Sequence, residues 1–226
     1  MRGLTTADIV AVWERAGAEP ALTRPAALLG TPDSGDLALG ERDGALLDLY
    51  AATFGDRLDA VATCPSCATA VELSLSCAEL RRTPKSPVEP LKVDGQAVEW
   101  RLPTTKDLEA VAECFDAAEA GAQLLRRCVI VADELTSEVR EAVGAAMAAA
   151  DPLAEILLDL DCPQCNARWS SQLDVAAFVW RHLDAAAQRL FVEVHTLARA
   201  YGWTEPQILA LSPTRRATYL RLVGNG

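Results

Sequence analysis

Two short cysteine pairs carry the spacing in this chain that points to a definite chemistry: Cys64-Pro65-Ser66-Cys67 and Cys162-Pro163-Gln164-Cys165. A C-x2-C turn places two thiolates on one side of a tight loop. Two such turns brought together supply the four sulfurs of a tetrahedral zinc site. The span from Cys67 to Cys162 exceeds that of an ordinary zinc finger, so a shared ion would tie together two distant parts of one fold. Such a site is closed. With no coordination position left for water, it stabilises and does not catalyse. The competing readings are a redox dithiol at each pair, which requires a reactive thiolate of low pKa, and chance spacing.

The flanks of the two pairs match one another, which favours the metal. Residues 60–76 read AVATCPSCATAVELSLS and residues 158–174 read LDLDCPQCNARWSSQLD. An alternating stretch enters each turn and another leaves it. Val71, Leu73 and Leu75 share one face after the first turn, and Trp169 and Leu173 take matching positions after the second. Each copy predicts a β-hairpin with a metal knuckle at its tip. Two facing hairpins predict a zinc-ribbon-like core, with Cys64, Cys67, Cys162 and Cys165 as ligands of a structural Zn2+. One feature counts against it. The residue after the second cysteine of a knuckle usually takes positive φ and favours glycine, whereas Ala68 and Asn166 stand there. Asn tolerates that conformation; Ala carries a steric cost.

Other residues that could do chemistry form no catalytic set. There is no phosphate-binding glycine loop, dinucleotide fingerprint or H-E-x-x-H sequence. His182 and His195 both fall inside one long helix, at a spacing near but not ideal for one face, and read as packing or surface residues. Asp56, Asp59, Asp159 and Asp161 flank the knuckle approaches and read as solvated charges, because the alternate positions are apolar. Trp13, Trp100, Trp169, Trp180 and Trp203 sit on apolar faces of different elements with no basic residues between them, which predicts core packing and not base stacking. Cys114 and Cys128 read as small buried hydrophobes. Cys77 reads the same way, with a role as spare ligand the lesser alternative. The expectation is a protein without enzymatic activity or a small-molecule substrate.

These residues must be positioned by a chain of 226 residues, half of them apolar, many of those alanine, and only 5% aromatic. That composition favours closely packed helices over a β-sandwich. The net charge of −11 argues against general binding to a phosphate backbone. No apolar run reaches membrane-spanning length, and the N-terminal MRGLTTADIV lacks a signal-peptide core, so the expected location is the cytosol.

Element by element, Thr5 or Thr6 caps a helix through about Ala16 on the stripe Ile9, Val12, Trp13 and Ala16. Residues 17–40 are rich in Pro and Gly and read as a long loop. A helix over about 41–54 precedes the first knuckle. A Pro-containing connector over 80–90 leads to a hairpin over 91–102 turning at Asp94-Gly95. Residues 106–150 read as helical throughout, broken near Phe115–Asp116 and Asp133–Thr136. After the second knuckle come a long helix from Val175 to about Tyr201, a short helix opened by the capping box Thr204-Glu205-Pro206-Gln207, and a last helix from Thr214 to Leu222. The predicted fold class is α+β, mostly helical, with the small ribbon core and one extra hairpin. The predicted organisation is a helix and loop over 1–40, then a single ribbon-centred domain over 41–226. That domain carries a helical insert at about 104–150 and a C-terminal helical segment at about 175–226.

The last helix is the other functional candidate. Tyr219, Leu220 and Leu222–Val223 oppose Arg215, Arg216 and Arg221. Such a helix either docks on its own domain or enters a partner's groove.

The segments LALGERDGALLDLYAATFGDRLDAVATCPSC, VEWRLPTTKDLEAV, CPQC and WTEPQILALSPTRRATYLRLV, in this order, resemble bacterial T4-family baseplate hub assembly chaperones. Proteins of that kind belong to contractile phage tails and contractile injection systems. The resemblance covers nearly the whole chain past about residue 35. It implies a non-enzymatic assembly or structural factor whose partners are the baseplate hub or other tail proteins. It places that factor in the bacterial cytoplasm or in a tail-like particle, and carries the zinc-ribbon reading onto the four cysteines. The alternatives are a zinc-ribbon nucleic-acid-binding regulator and, less favoured, a C-x2-C thiol oxidoreductase.

Overall fold

The computed structural model describes residues 2–31, 33–82, 85–132 and 134–224. Pro32 of the expected loop, Thr83 and Pro84 of the connector and Asp133 of the expected helix break lie outside the described residues. The fold is α+β, with helices dominating and three small antiparallel sheets.

The main core is built from five helices and two hairpins. Helix α1 (Thr6–Gly17) opens on a capping box between Thr5 and Asp8, and buries Val12 and Ala16. Trp13 is partly buried and its Nε1 donates to Asp184 at 2.7 Å. Helix α3 (Leu39–Phe54) contributes Leu46, Leu47 and Tyr50; α8 (Val175–Tyr201) contributes Phe178, Val179 and Leu183. Leu58 of β1 (Arg57–Thr63) and Ile156 of β6 (Ile156–Asp161) enter the same cluster. Strands β1 and β2 (Ala70–Ser76) pair in one hairpin, and β6 and β7 (Arg168–Leu173) in the other.

The segment expected as a long loop contains helix α2 (Arg24–Leu29). Pro25 sits in its first turn, Gly30 ends it at φ 67°, and Leu28 is buried in the main core. Its flanking Pro and Gly are the punctuation of a short helix, and the Ala-Ala-Leu-Leu run between them supplies the apolar face. The short helix α4 (Cys77–Arg81) follows β2 directly, its first turn capped by Ser76, and also went unforeseen.

The insert has a core of its own. Strands β3 (Leu91–Val93), β4 (Gln96–Trp100) and β5 (Val129–Val131) form an antiparallel sheet in that order. The turn between β3 and β4 has Asp94 at φ 50° and Gly95 at φ 83°, as an Asp-Gly hairpin requires. Helices α5 (Thr105–Val111), α6 (Ala117–Cys128) and α7 (Ser137–Ala150) complete the lobe, and Val98, Trp100, Val139, Val143 and Ala150 pack together inside it. The reading of 106–150 as helical throughout is corrected by β5. The β-branched Val129-Ile130-Val131 pairs with Glu99 and Trp100, so a long-range partner overrides local helical context.

Two buried polar groups join the insert to the main core. The Asp151 carboxylate accepts from the Gly40 N–H at 2.8 Å, and a Cβ at Gly40 would collide with it. Arg42 pairs with Asp43 at 2.7 Å and donates to Thr105 Oγ1 at 3.1 Å. Burial pushes Asp43 up to about 6 in spite of its Arg42 partner. Nothing in the spacing of these residues distinguished them from surface charges.

Past the ribbon, Gly202 stops α8 at φ 68°. The capping box of Thr204 and Gln207 opens α9 (Glu205–Leu209), and α10 (Pro213–Gly224) ends the described chain. Among the described residues no helix is long and apolar enough to cross a membrane.

Candidate metal centre

Each cysteine pair caps a hairpin whose register brings the chain into the turn in the same way. Thr63 pairs with Ala70 and Asp161 with Arg168 at the last rungs. Beyond them the Cys64 N–H donates to the Thr69 carbonyl at 2.9 Å, and the Ala68 N–H to the Cys64 carbonyl at 2.9 Å. In the second turn the Cys162 N–H donates to the Ala167 carbonyl at 2.9 Å and the Asn166 N–H to the Cys162 carbonyl at 3.0 Å. Ala68 and Asn166 both stand at φ 57°, the left-handed conformation anticipated for that position. The two knuckles are the same local structure built twice.

Alternation then faces the hairpins correctly. Val71, Leu73 and Leu75 are partly buried while Glu72 and Ser74 between them are exposed; Trp169 and Leu173 are partly buried while Ser170 and Gln172 are exposed. Leu75, Leu158 and Leu173 pack against the main core, which holds both hairpins on one side of the molecule with their tips together.

The four sulfurs meet there, all within 4.8 Å of one another. The shortest separations cross between hairpins: Cys64 Sγ to Cys165 Sγ is 3.7 Å, and Cys67 Sγ to Cys162 Sγ is 3.6 Å. A zinc ion bonded to four sulfurs at about 2.3 Å requires tetrahedral edges of about 3.8 Å. The donor set and its spacing therefore fit such an ion. Cys64 and Cys162, the first of each pair, are buried, whereas Cys67 and Cys165 are exposed.

The thiols influence one another's ionisation. Hydrogen bonding by the Thr69 side chain, and then its backbone, holds the Cys67 thiol down to about 6. At Cys165 the Ala167 backbone favours the thiolate, but the hydrogen bonds among the thiols and desolvation outweigh it and push that group up to about 12. One thiolate forms readily and a later one resists, as expected of like charges crowded together with no cation between them.

The remaining candidates fall elsewhere. Cys77 lies in the main core and Cys128 is buried in the insert; burial pushes both thiols up to about 11. Neither joins the sulfur cluster, which is the one potential metal-binding group of three or more such side chains among the described residues. The His182 ring packs against Phe178 with centroids 4.2 Å apart and bonds the Phe178 carbonyl at 3.1 Å, while His195 is exposed on the same helix. Asp56 is exposed, but it accepts from Ser76 Oγ and the Ala78 N–H, and those bonds hold its carboxyl below the usual range.

At the C-terminal helix the arginines divide. Arg215 and Arg221 are exposed. Arg216 is buried, contrary to its placement with them on a surface stripe. It pairs with Glu193 at 2.8 Å and donates to the Leu211 carbonyl at 2.7 Å and to Thr6 Oγ1 at 3.2 Å. It clasps α10 to α8 and to the start of α1. Tyr219 packs edge-on against Trp203 at 4.9 Å, and Leu220 is half-buried.

No curated protein and no solved structure gives a significant match to this chain. A family model described as T4 bacteriophage base plate protein matches residues 27–178. That span holds the end of α2, all of α3, both knuckles and the whole insert, and stops in the first turn of α8, short of most of the C-terminal segment that the sequence resemblance included. With two hairpins, their four cysteines and the lobe between them all inside the matched span, the chain belongs to the T4 baseplate protein family.

Proposed function

We propose that this protein is a non-enzymatic assembly factor for the baseplate of a contractile phage tail or injection system, closed by a structural zinc ion on Cys64, Cys67, Cys162 and Cys165. The observation that carries the reading is the tetrahedral spacing of four sulfurs inside a chain of a baseplate family. A bound ion would supply a cross-link between the hairpins. The residues of the chain do the rest: the paired strands aim the sulfurs, and the main core holds the two tips together. Binding energy at such a site is folding energy, on the order of 10–16 kcal/mol in small zinc domains. That is comparable with the ~5–15 kcal/mol net stability of a whole domain.

The pinned scaffold presents its C-terminal helices to a baseplate hub or another tail protein, shielding an adhesive surface of that partner until assembly proceeds. Arg215, Tyr219, Leu220 and Arg221 belong to the presented helix, and Arg216 anchors it from inside. The protein works in the bacterial cytoplasm, before or during its incorporation into a tail-like particle.

The test is purification of the full chain from cells that co-express the neighbouring tail genes, with elemental analysis and mass spectrometry of what co-purifies. One zinc per chain and a retained tail protein are expected. Cys64→Ser is expected to release the metal and to lower stability by roughly 5 kcal/mol or more. Metal-free protein with all four thiols reduced would remove the zinc; recovery of no tail component would remove the assembly role.

A further inference from the structure

Charge is distributed unevenly along this acidic chain. After Asp174 the sequence contains Arg181, Arg189, Arg199, Arg215, Arg216 and Arg221 against Asp184, Glu193 and Glu205, although the whole protein carries −11. Two of those three acids are occupied inside the fold, since Asp184 accepts from Trp13 Nε1 and Glu193 pairs with Arg216. Arg189, Arg199, Arg215 and Arg221 are exposed, and none of them forms an ion pair among the described residues. On α8 the positions Arg189, Val192, His195, Thr196 and Arg199 follow the three- and four-residue spacing of a single stripe. Val192 is 67% exposed within it, and Leu222 on α10 is 59% exposed. A groove lined by His195, Thr196, Arg199, Ala200 and Val223 lies between the two helices, and none of these lining side chains is acidic. Apolar side chains flanked by unpaired arginines make a surface complementary to a segment that is apolar on one side and acidic on the other.

We propose that this groove between α8 and α10 docks an acidic amphipathic segment of a baseplate protein. Its apolar side chains cover Val223 in the groove and Val192 on the adjoining stripe of α8, and its carboxylates meet Arg199 in the groove and Arg189 on that stripe. This assignment rests on the baseplate reading above and adds the place and the chemistry of the contact. A nucleic acid fits less well. A long polyanion is repelled by the acidic remainder of the protein, whereas a short segment within about 8 Å of the arginines is screened from those distant charges.

The experiment places a photo-crosslinking amino acid at Val192, at Val223 or, as a control, at the exposed Glu72 of β2, in the full chain co-expressed with the neighbouring tail genes. Val192 and Val223 are expected to cross-link to one baseplate protein within an Asp/Glu-rich segment, and Glu72 not to. With that protein purified, Arg189→Glu combined with Arg199→Glu is expected to weaken binding about tenfold or more, and wild-type affinity to fall as salt rises. Both side chains being exposed and without ion partners, the double variant should melt with the wild type. Cross-links to DNA or to a second copy overturn the proposal, as do cross-links only elsewhere or unchanged affinity in the double variant. If a tail protein still co-purifies in those cases, the docking site falls and the assembly role stands. If none co-purifies, the assembly role falls and takes the docking site with it.

Discussion

Ala68 and Asn166 occupy the same point of the two knuckles at the same φ of 57°, yet the cost is unequal. The Asn side chain tolerates left-handed backbone, and the methyl group of Ala crowds the following carbonyl. The turn is held in that conformation by its own hydrogen bonds, from Ala68 N–H to Cys64 and from Cys64 N–H to Thr69. Ala68→Gly is therefore expected to stabilise the protein by about 0.5–1 kcal/mol, the gain being reduced by the greater freedom of Gly in the unfolded chain. Asn166→Gly should change stability by only a few tenths. Chemical denaturation of both variants checks this. A destabilised Ala68→Gly would mean that the first turn does not need the left-handed residue.

At the level of elements, the insert depends on a carboxylate that looks, in the sequence, like any surface acid. Asp107 is almost fully buried at the start of α5, where it accepts from Arg101 Nη2 at 2.9 Å, Arg127 Nε at 3.0 Å and the Thr104 N–H at 3.1 Å. The bond from Arg101, with those from Thr104, holds its carboxyl well below the usual carboxylate range. A carboxyl whose folded value is depressed contributes stability above its unfolded pKa of about 3.9. That contribution is lost as pH falls from there through the folded value. Asp107→Asn is expected to destabilise the insert by about 2–4 kcal/mol near neutral pH and to flatten this acid-side loss. Hydrogen exchange in residues 91–150 at pH 7 and pH 3 reads both effects; an unchanged acid profile in the variant would assign the loss to other carboxylates. The long periodic elements α1, α3 and α8 were legible from their apolar spacing and caps, and the Asp94-Gly95 hairpin from its turn. Helix α2 and strand β5 were not. Each is short, and each exists because a distant surface is there to cover it: the main core over Leu28, and Trp100 beside Val129.

Over the whole molecule, the knuckles join two stretches of chain on either side of the insert. Removing the metal from the zinc-loaded protein with a chelator is expected to loosen residues 57–76 and 156–173 together. The insert, with its separate core of Val98, Trp100, Val139 and Val143, should keep its exchange protection. Mass-spectrometric hydrogen exchange with and without chelator tests this. Independent loosening of the two hairpins would show that no ion connects them, and simultaneous loss of the insert would show that the lobes fold as one unit. The insert reaches the main core through the Asp151–Gly40 bond and the Arg42–Thr105 bond, contacts between residues far apart in the chain.

The sequence by itself determined the two knuckle hairpins, their matching turns and the identity of the four sulfurs. Turn chemistry and strand alternation are local, and the pattern was written twice. It also showed a mostly helical chain with a ribbon at its centre, from apolar spacing and capping residues alone. Only the tertiary structure decided which side chains those elements bury. Arg216 became an internal clasp instead of a surface charge, Asp43 and Asp107 were drawn inside, and the outer face of α8 was left with unpaired arginines. The physical reason is that a charged residue in a helix has the same local propensity buried or exposed. Its fate depends on the partner that packing brings to it from elsewhere in the chain.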